Sequence, residues 1–246
     1  MIAAAPGEIR LDNVARRYRL VHQRNRTLKE TALRRKRVDA SEVWALRGVD
    51  LHVKPGEAVG VIGRNGSGKS TLLKLAAGIM PPHGGEVAIG GRVASMLELG
   101  AGFHPDFSGR ENVFMNGTIL GLSDREIEER FDDIVRFSEL GEFVEQPVRT
   151  VSSGMYMRLA FSVASHVDPD VLLLDEVLAV GDEAFQRKCL GRMFEFRRRG
   201  GTLLLGSHDA NAIERVCDRA VLLEDGRVVA DGATFEVLSA YHRLMT

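Results

Sequence analysis

Little in this chain is present in excess. Of 246 residues two are cysteine, one is tryptophan and three are tyrosine, and 33 Lys and Arg nearly balance 34 Asp and Glu. The net charge of −1 leaves no global field that would gather nucleic acid, so no nucleic-acid partner is expected. Cys189 and Cys217 have neither metal-ligand nor C-x-x-C spacing. Both fall in segments that read as helices and suit small core-facing groups in a reducing compartment. No stretch approaches the roughly 18 apolar residues of a membrane helix, and MIAAAPGEIR lacks the basic and apolar regions of a signal peptide. Whatever the protein does at a membrane, another chain is expected to do the crossing.

What is there is the composition of a globular α/β protein, 44% hydrophobic and 27% charged, long enough for one large core. Residues 1–37 carry eleven Lys or Arg against Glu8, Asp12 and Glu30. Glu8–Val14 and Gly48–Val53 read as strands, and a basic interval of roughly 19–43 separates them. Inside it Thr27-Leu-Lys-Glu30 reads as a capping box opening a short basic helix over Leu28–Arg37. The apolar run Ala58–Ile62 suits a strand covered on both faces, followed by a glycine-rich turn and a helix over Lys69–Ala77. Helices are predicted over Gly109–Leu120, Asp124–Leu140 and Ser153–His166. Strand–helix alternations follow: Val171–Leu174, Glu183–Arg199, Thr202–Leu205, Asn211–Cys217 and Ala220–Glu224. A hairpin turning at Asp225-Gly226 leads to Arg227–Ala230, and Phe235–Leu244 closes as a helix. The alternation implies a mostly parallel sheet. The three consecutive helices imply a helical subdomain of roughly 101–166 inserted into a core of roughly 1–100 and 167–246, all within one domain spanning 1–246.

Gly63-Arg-Asn-Gly-Ser-Gly-Lys-Ser70 matches the phosphate-binding loop G-x-x-x-x-G-K-[ST]. It sits between a buried strand and a helix, as the mechanism requires. Gly63, Asn65, Gly66, Ser67 and Gly68 turn backbone N–H groups inward, and the helix amino terminus adds a positive dipole. Lys69 is expected to reach the β- and γ-phosphates, Ser70 to ligate Mg²⁺, and Thr71 to complete the cradle. Val171-Leu-Leu-Leu-Asp175-Glu176 is an apolar strand tipped by two acids, which are costly there unless something cationic or reacting meets them. Asp175 is expected to hold Mg²⁺ through its water shell, and Glu176 to orient or deprotonate the attacking water.

The segment Val151-Ser-Ser-Gly-Met-Tyr-Met-Arg-Leu-Ala-Phe-Ser-Val-Ala164 resembles the signature motif, LSGGQ, of the ATP-binding-cassette ATPases. Ser152, Ser153 and Gly154 fall on its serine-glycine-glycine part, and Met155 stands where the family usually has Gln. A small-residue turn at a helix start offers N–H groups and a dipole to a phosphate. The resemblance implies that this phosphate belongs to ATP held by a second copy of the chain. It further implies a P-loop, RecA-like α/β fold with a mostly parallel sheet, an antiparallel β edge and an inserted helical subdomain. Ala179-Val-Gly-Asp182 resembles the family's D-loop at the dimer interface, and Ser207-His208-Asp209 its switch histidine, with His208 placed to hydrogen-bond the γ-phosphate and position Glu176. Tyr18 and Trp44 are the candidates for stacking on adenine, with Tyr18 favoured by its place before the second strand. The family's usual glutamine in the loop leading to the helices has no counterpart, since 94–112 contains no Gln. Glu98 is the nearest polar substitute.

Leu97–Asn112, SSGMYMRLAFSVA, and Arg26-Thr-Leu-Lys-Glu30 ahead of Val43-Trp44-Ala-Leu together resemble the ATPase subunits of polysaccharide exporters, most closely the O-antigen branch, beside teichoic-acid and capsule export. That resemblance implies a homodimer beneath two copies of an integral membrane permease, on the cytoplasmic face of a bacterial membrane, with lipid-linked polysaccharide as cargo. Some members carry a carboxyl-terminal glycan-binding domain; because the sequence stops at Thr246, this chain is expected to lack one. The basic helix Leu28–Arg37 is expected at the permease or membrane face, where each cation contributes about 1 kcal/mol toward an anionic leaflet. A soluble ATPase of the same family or a non-hydrolysing scaffold is the alternative, and a GTPase is disfavoured because no Asn-Lys-x-Asp segment exists.

Overall fold

Ala58-Val-Gly-Val-Ile62 is buried at every position, and the reason is visible in how its neighbours divide. In a computed structural model that describes residues 4–21, 40–97, 100, 102–175 and 181–245, this strand (β3; β1 and β2 precede it) lies inside a six-stranded sheet. Side chains alternate strictly between two cores. Val59, Val61, Val171, Leu173, Leu204, Val221 and Leu223 enter one; Ala58, Ile62, Leu172, Leu174, Leu203, Leu205 and Leu222 enter the other. A parallel sheet covered on both faces produces this alternation from a nearly continuous apolar sequence.

In chain order the strands are β1 (Ile9–Val21), β2 (Ala40–Val53), β3 (Ala58–Ile62), β4 (Gly84–Ile89), β5 (Val93–Met96), β6 (Val171–Asp175), β7 (Thr202–Ser207), β8 (Arg219–Glu224) and β9 (Arg227–Ala233). The six-stranded sheet runs β5-β6-β7-β3-β8-β9. It is parallel except for the β8–β9 hairpin at its edge. A separate antiparallel sheet has the order β2-β1-β4.

Between the sheets lies α1 (Lys69–Ala76), whose Leu72, Leu73 and Leu75 share a core with Ile9, Leu11, Leu51 and Val53. The opposite face of the six-stranded sheet is covered by α2 (Gly109–Ile119), α3 (Asp124–Ser138), α4 (Ser153–Ser165), α5 (Glu183–Arg198), α6 (Ala210–Val216) and α7 (Thr234–Met245). Capping boxes start two of these helices: Ser108 with Glu111 opens α2, and Ser123 with Glu126 opens α3. Cations close α4, with Arg130 donating to the His166 carbonyl (3.0 Å) and Arg192 to that of Ser165 (3.1 Å). Positive charge is favoured at a helix carboxyl end.

Three features depart from the sequence reading. The strands expected to stop at Val14 and begin at Gly48 instead run on, pairing Tyr18 with Val43 and Val21 with Ala40. The ends of the basic interval are therefore a two-stranded ribbon; the expected helix Leu28–Arg37 lies outside the described residues. Strands β4 and β5 were not anticipated. Both are short, flanked by glycines and weakly alternating, so local pattern does not announce them. Cys217 lies one residue past α6 in extended backbone rather than within the helix. Like Cys189 it is buried, and burial pushes both thiols up to about 12.

Candidate functional site

The six-stranded sheet brings the carboxyl ends of β3, β7 and β6 side by side. Ile62 pairs with Ser207, and Asp175 with Gly206. At ordinary strand spacing, Asp175 therefore stands about 10 Å across the sheet from the start of the Gly63–Gly68 loop. Ligands of open α/β sheets bind beyond such strand ends.

The loop is held by close packing rather than by its own side chains. A Cβ on Gly63 would fall 2.2 Å from the Leu223 carbonyl oxygen, and one on Gly68, at φ +114°, 2.5 Å from that of Ala45. Only glycine fits either place. The Gly226 N–H donates to the Ser67 carbonyl (3.0 Å), pinning the loop to the β8–β9 turn. Lys69, 5% exposed, folds across the loop and donates from Nζ to the carbonyl oxygens of Gly63 (2.9 Å) and Arg64 (3.1 Å). Asn65, Gly66 and Ser70 are exposed and Thr71 half-buried. The Ser67 Oγ is buried and has no hydrogen-bond partner among the described residues. A buried hydroxyl without a partner is costly, and this one sits in a glycine cradle at the amino end of an eight-residue helix. The donor set fits the oxygens of a phosphate chain.

Gly206 leaves room for the Asp175 carboxylate, whose Oδ1 lies 3.3 Å from where its Cβ would be. His208 follows β7 and is exposed; its carbonyl faces the Tyr241 hydroxyl of α7 at 3.5 Å. Glu176, with Ala179 of the D-loop segment, lies outside the described residues, as does Glu98.

Tyr18 and Trp44 occupy opposite faces of the β1–β2 ribbon, because Trp44 pairs with Arg17 rather than with Tyr18. The Tyr18 hydroxyl lies 3.4 Å from Thr71 Oγ1 and 3.4 Å from Met80 Sδ, beside the phosphate loop, and the residue is 37% exposed. Trp44 lies under the Arg17 guanidinium at 5.6 Å. Of the two, Tyr18 faces the site.

Ser152 caps α4, its Oγ accepting from the Met155 N–H (3.2 Å). Ser153 beside it is exposed, and Gly154 half-buried. Asp182 caps α5, with Oδ1 accepting from the Phe185 N–H (2.9 Å) and Oδ2 from Arg158 (2.6 Å). The backbone N–H of Phe185 and the Arg158 charge hold this carboxyl below the usual range. Arg158 also pairs with Glu139 at 2.9 Å, and Glu139 with Lys188. The chain Lys188–Glu139–Arg158–Asp182 thus ties the turn after α3 and the first turns of α4 to the start of α5. Sequence reasoning missed Glu139 and Arg158, although Arg158 stands inside the quoted segment. It also missed Arg64, which donates to the Leu244 carbonyl and to Met245 Sδ (3.3 Å) at the end of α7.

Comparison with known proteins bears on this arrangement. A family model described as ABC transporter matches residues 46–179. The O-antigen export system ATP-binding protein RfbB of Myxococcus xanthus is 55% identical over 208 residues, 85% of this chain and 48% of its own. The chain therefore spans about half the length of that relative. A protein of the same name from Klebsiella pneumoniae is 45% identical over 241 residues, 96% of this chain and 98% of its own. Among solved structures, a dimeric post-hydrolysis state of the ATP-binding cassette MJ0796 bound to ADP and Pi superposes with a TM-score of 0.73. It is 23% identical, covers 92% of this chain and 98% of its own, and matches in fold.

Proposed function

The chain belongs to the ABC transporter family, and on that premise we propose that it is the ATP-hydrolysing subunit of an exporter of lipid-linked polysaccharide. The observation that carries the reading is the placement of two helices. α1, behind the phosphate loop, packs on one face of the central sheet, and α4, behind Ser152–Gly154, packs on the other. A phosphate chain held by the loop of one copy is therefore met by the turn of a second copy, arranged head to tail. Closure by ATP supplies the force, and hydrolysis reopens the pair.

Within each site Lys69 and the amino end of α1 bind the phosphates, Ser67 donates to a phosphate oxygen, and Tyr18 covers the adenine. Ser70 and Asp175 would hold Mg²⁺, which would supply positive charge against the negative charge developing on the phosphate oxygens. Glu176 takes a proton from the water that attacks the γ-phosphorus, the bond to the β-phosphate oxygen breaks, and ADP is the leaving group. His208 orients the γ-phosphate against that water. Asp182 lies at the seam between copies. Residues 101–166 form the helical subdomain, set on a core of 1–100 and 167–246.

The O-antigen export names of the two relatives support the cargo. Among the described residues no helix is long and apolar enough to cross a membrane, which agrees with a subunit seated on the cytoplasmic face beneath two permease copies. Steady-state ATP turnover of the purified chain, compared with Glu176→Gln and with permease co-expressed, tests the reading. Turnover lost in the variant together with an ATP-trapped dimer is expected. Tight ATP binding with no turnover in any preparation would overturn it.

A further inference from the structure

Tyr156 lies one turn into α4, its N–H donating to the carbonyl of the capping residue Ser152 (2.9 Å). Its hydroxyl leaves the helix and donates to the Gly100 carbonyl oxygen at 2.6 Å. That oxygen also accepts from the Phe103 N–H (2.8 Å), which closes a turn, and the Phe103 ring meets Tyr156 edge-on at 5.1 Å. The fit permits no other residue at position 100. Gly100 has φ +78°, and a Cβ there would fall 2.4 Å from the Tyr156 hydroxyl and 2.5 Å from the ring. Burial pushes the hydroxyl above the ordinary tyrosine range, so it remains a donor at neutral pH.

The two elements joined here come from different parts of the chain. Gly100 lies four residues beyond Met96, the last residue of β5, which pairs with Leu174 just before Asp175. Tyr156 lies directly behind the Ser152–Gly154 turn, whose N–H groups meet the second copy's phosphate in the proposed function. The segment 94–112 contains no glutamine, so that side chain is not what relates this loop to the site. A phenol locked to a backbone carbonyl at a glycine-only position is a rigid link. Phenylalanine would fill the same space, so packing alone does not require the hydroxyl.

We propose that Tyr156 is a positioning residue, a strut that makes Gly100 and the Ser152–Gly154 turn move as one body, so that loading of one site is reported to the phosphate-facing turn. The inference rests on the proposed function and deepens it.

The test is Tyr156→Phe, which removes one oxygen and keeps the ring. ATP affinity of the dilute chain and its melting temperature are expected to stay near wild type. The kcat for ATP is expected to fall about three- to tenfold, the scale of one lost hydrogen bond, and stimulation by permease to shrink with it. Unchanged kcat and stimulation would overturn the strut, as would a lost turnover matched by equal losses of ATP affinity or folding. Tyr156→Leu, which also removes the ring, must lose at least as much turnover, and full activity in it overturns the proposal as well. Should the wild type hydrolyse no ATP, the proposed function fails separately, and the strut is then read from amide hydrogen exchange. ATP is expected to change protection at 100–103 and 153–156 together in wild type and independently in Tyr156→Phe; joint change in both proteins contradicts it.

Discussion

The phosphate loop and the Ser152–Gly154 turn both sit at helix amino ends, yet they are built in opposite ways. The loop is embedded: Lys69 and Ser67 are buried, and Gly63 and Gly68 are wedged against the backbones of β8 and β2. The turn is presented: Ser152 and Ser153 are exposed, and what holds it lies behind it, in Tyr156 and in the ion-pair chain through Arg158. One half of the site is finished within a single chain, and the other half is offered outward. Under the proposed function, a site divided in this way is the kind that a second copy would complete, so that closure would depend on nucleotide.

The comparison is broken most severely at the embedded half. Lys69→Ala or Asp175→Asn is expected to reduce phosphate release at least about a hundredfold, the scale of losing one preorganised charged partner of a reacting phosphate. Gly154→Asp, which sets a negative charge at the presented helix end, is expected to reduce turnover on a similar scale. Its ATP affinity in dilute solution should stay near wild type, whereas Lys69→Ala weakens binding itself. Equal binding defects in the two would erase the distinction drawn here.

Arg158→Ala leaves Asp182 without its cation and Glu139 with Lys188 alone. Because Arg158 is the least exposed member of the chain of ion pairs, melting should report a larger loss than for the exposed i,i+4 pairs on α3 and α5, which are each worth about 0.3–0.5 kcal/mol. A loss no larger than Arg125→Ala on α3 would show that the turn is not held from behind by charge.

The smallest effect concerns pH. Burial lowers the pKa of His166 below its ordinary 6.5, and its Nδ1 donates to the Ser162 carbonyl at 2.6 Å. The unfolded chain therefore takes up a proton that the folded chain resists. Stability contributed by this residue is present above pH ~6.5 and declines as pH falls below it. Urea midpoints from pH 7.5 down to 5 should drop in wild type and drop less in His166→Phe.

How much of this was legible in sequence follows the same division. The embedded half is written locally: a strand, eight loop residues and a helix are contiguous, so Gly63–Ser70 could be read directly, and Asp175 at the end of an apolar strand nearly so. The presented half depends on residues brought together by folding. Glu139 meets Arg158 and Lys188 across 19 and 49 positions, and Tyr156 meets Gly100 across 56, separations that no local pattern encodes. The resemblance already favours Tyr18 over Trp44; that the two lie on opposite faces needed the register of β1 on β2, in which a single residue's shift exchanges the faces. Strands β4 and β5 draw their identity from the strands they pair with rather than from their own short sequences.

The claim that each site is shared between two copies is tested most directly by complementation. Lys69→Ala chain, with an intact turn, is mixed in equal amounts with Gly154→Asp chain, with an intact loop, and ATP turnover is measured against each alone. Half of the resulting dimers carry one complete site, so the account predicts recovery to about one quarter of the wild-type rate from two nearly inactive proteins. A mixture no more active than its components would contradict a shared site and return the whole of ATP hydrolysis to the single chain.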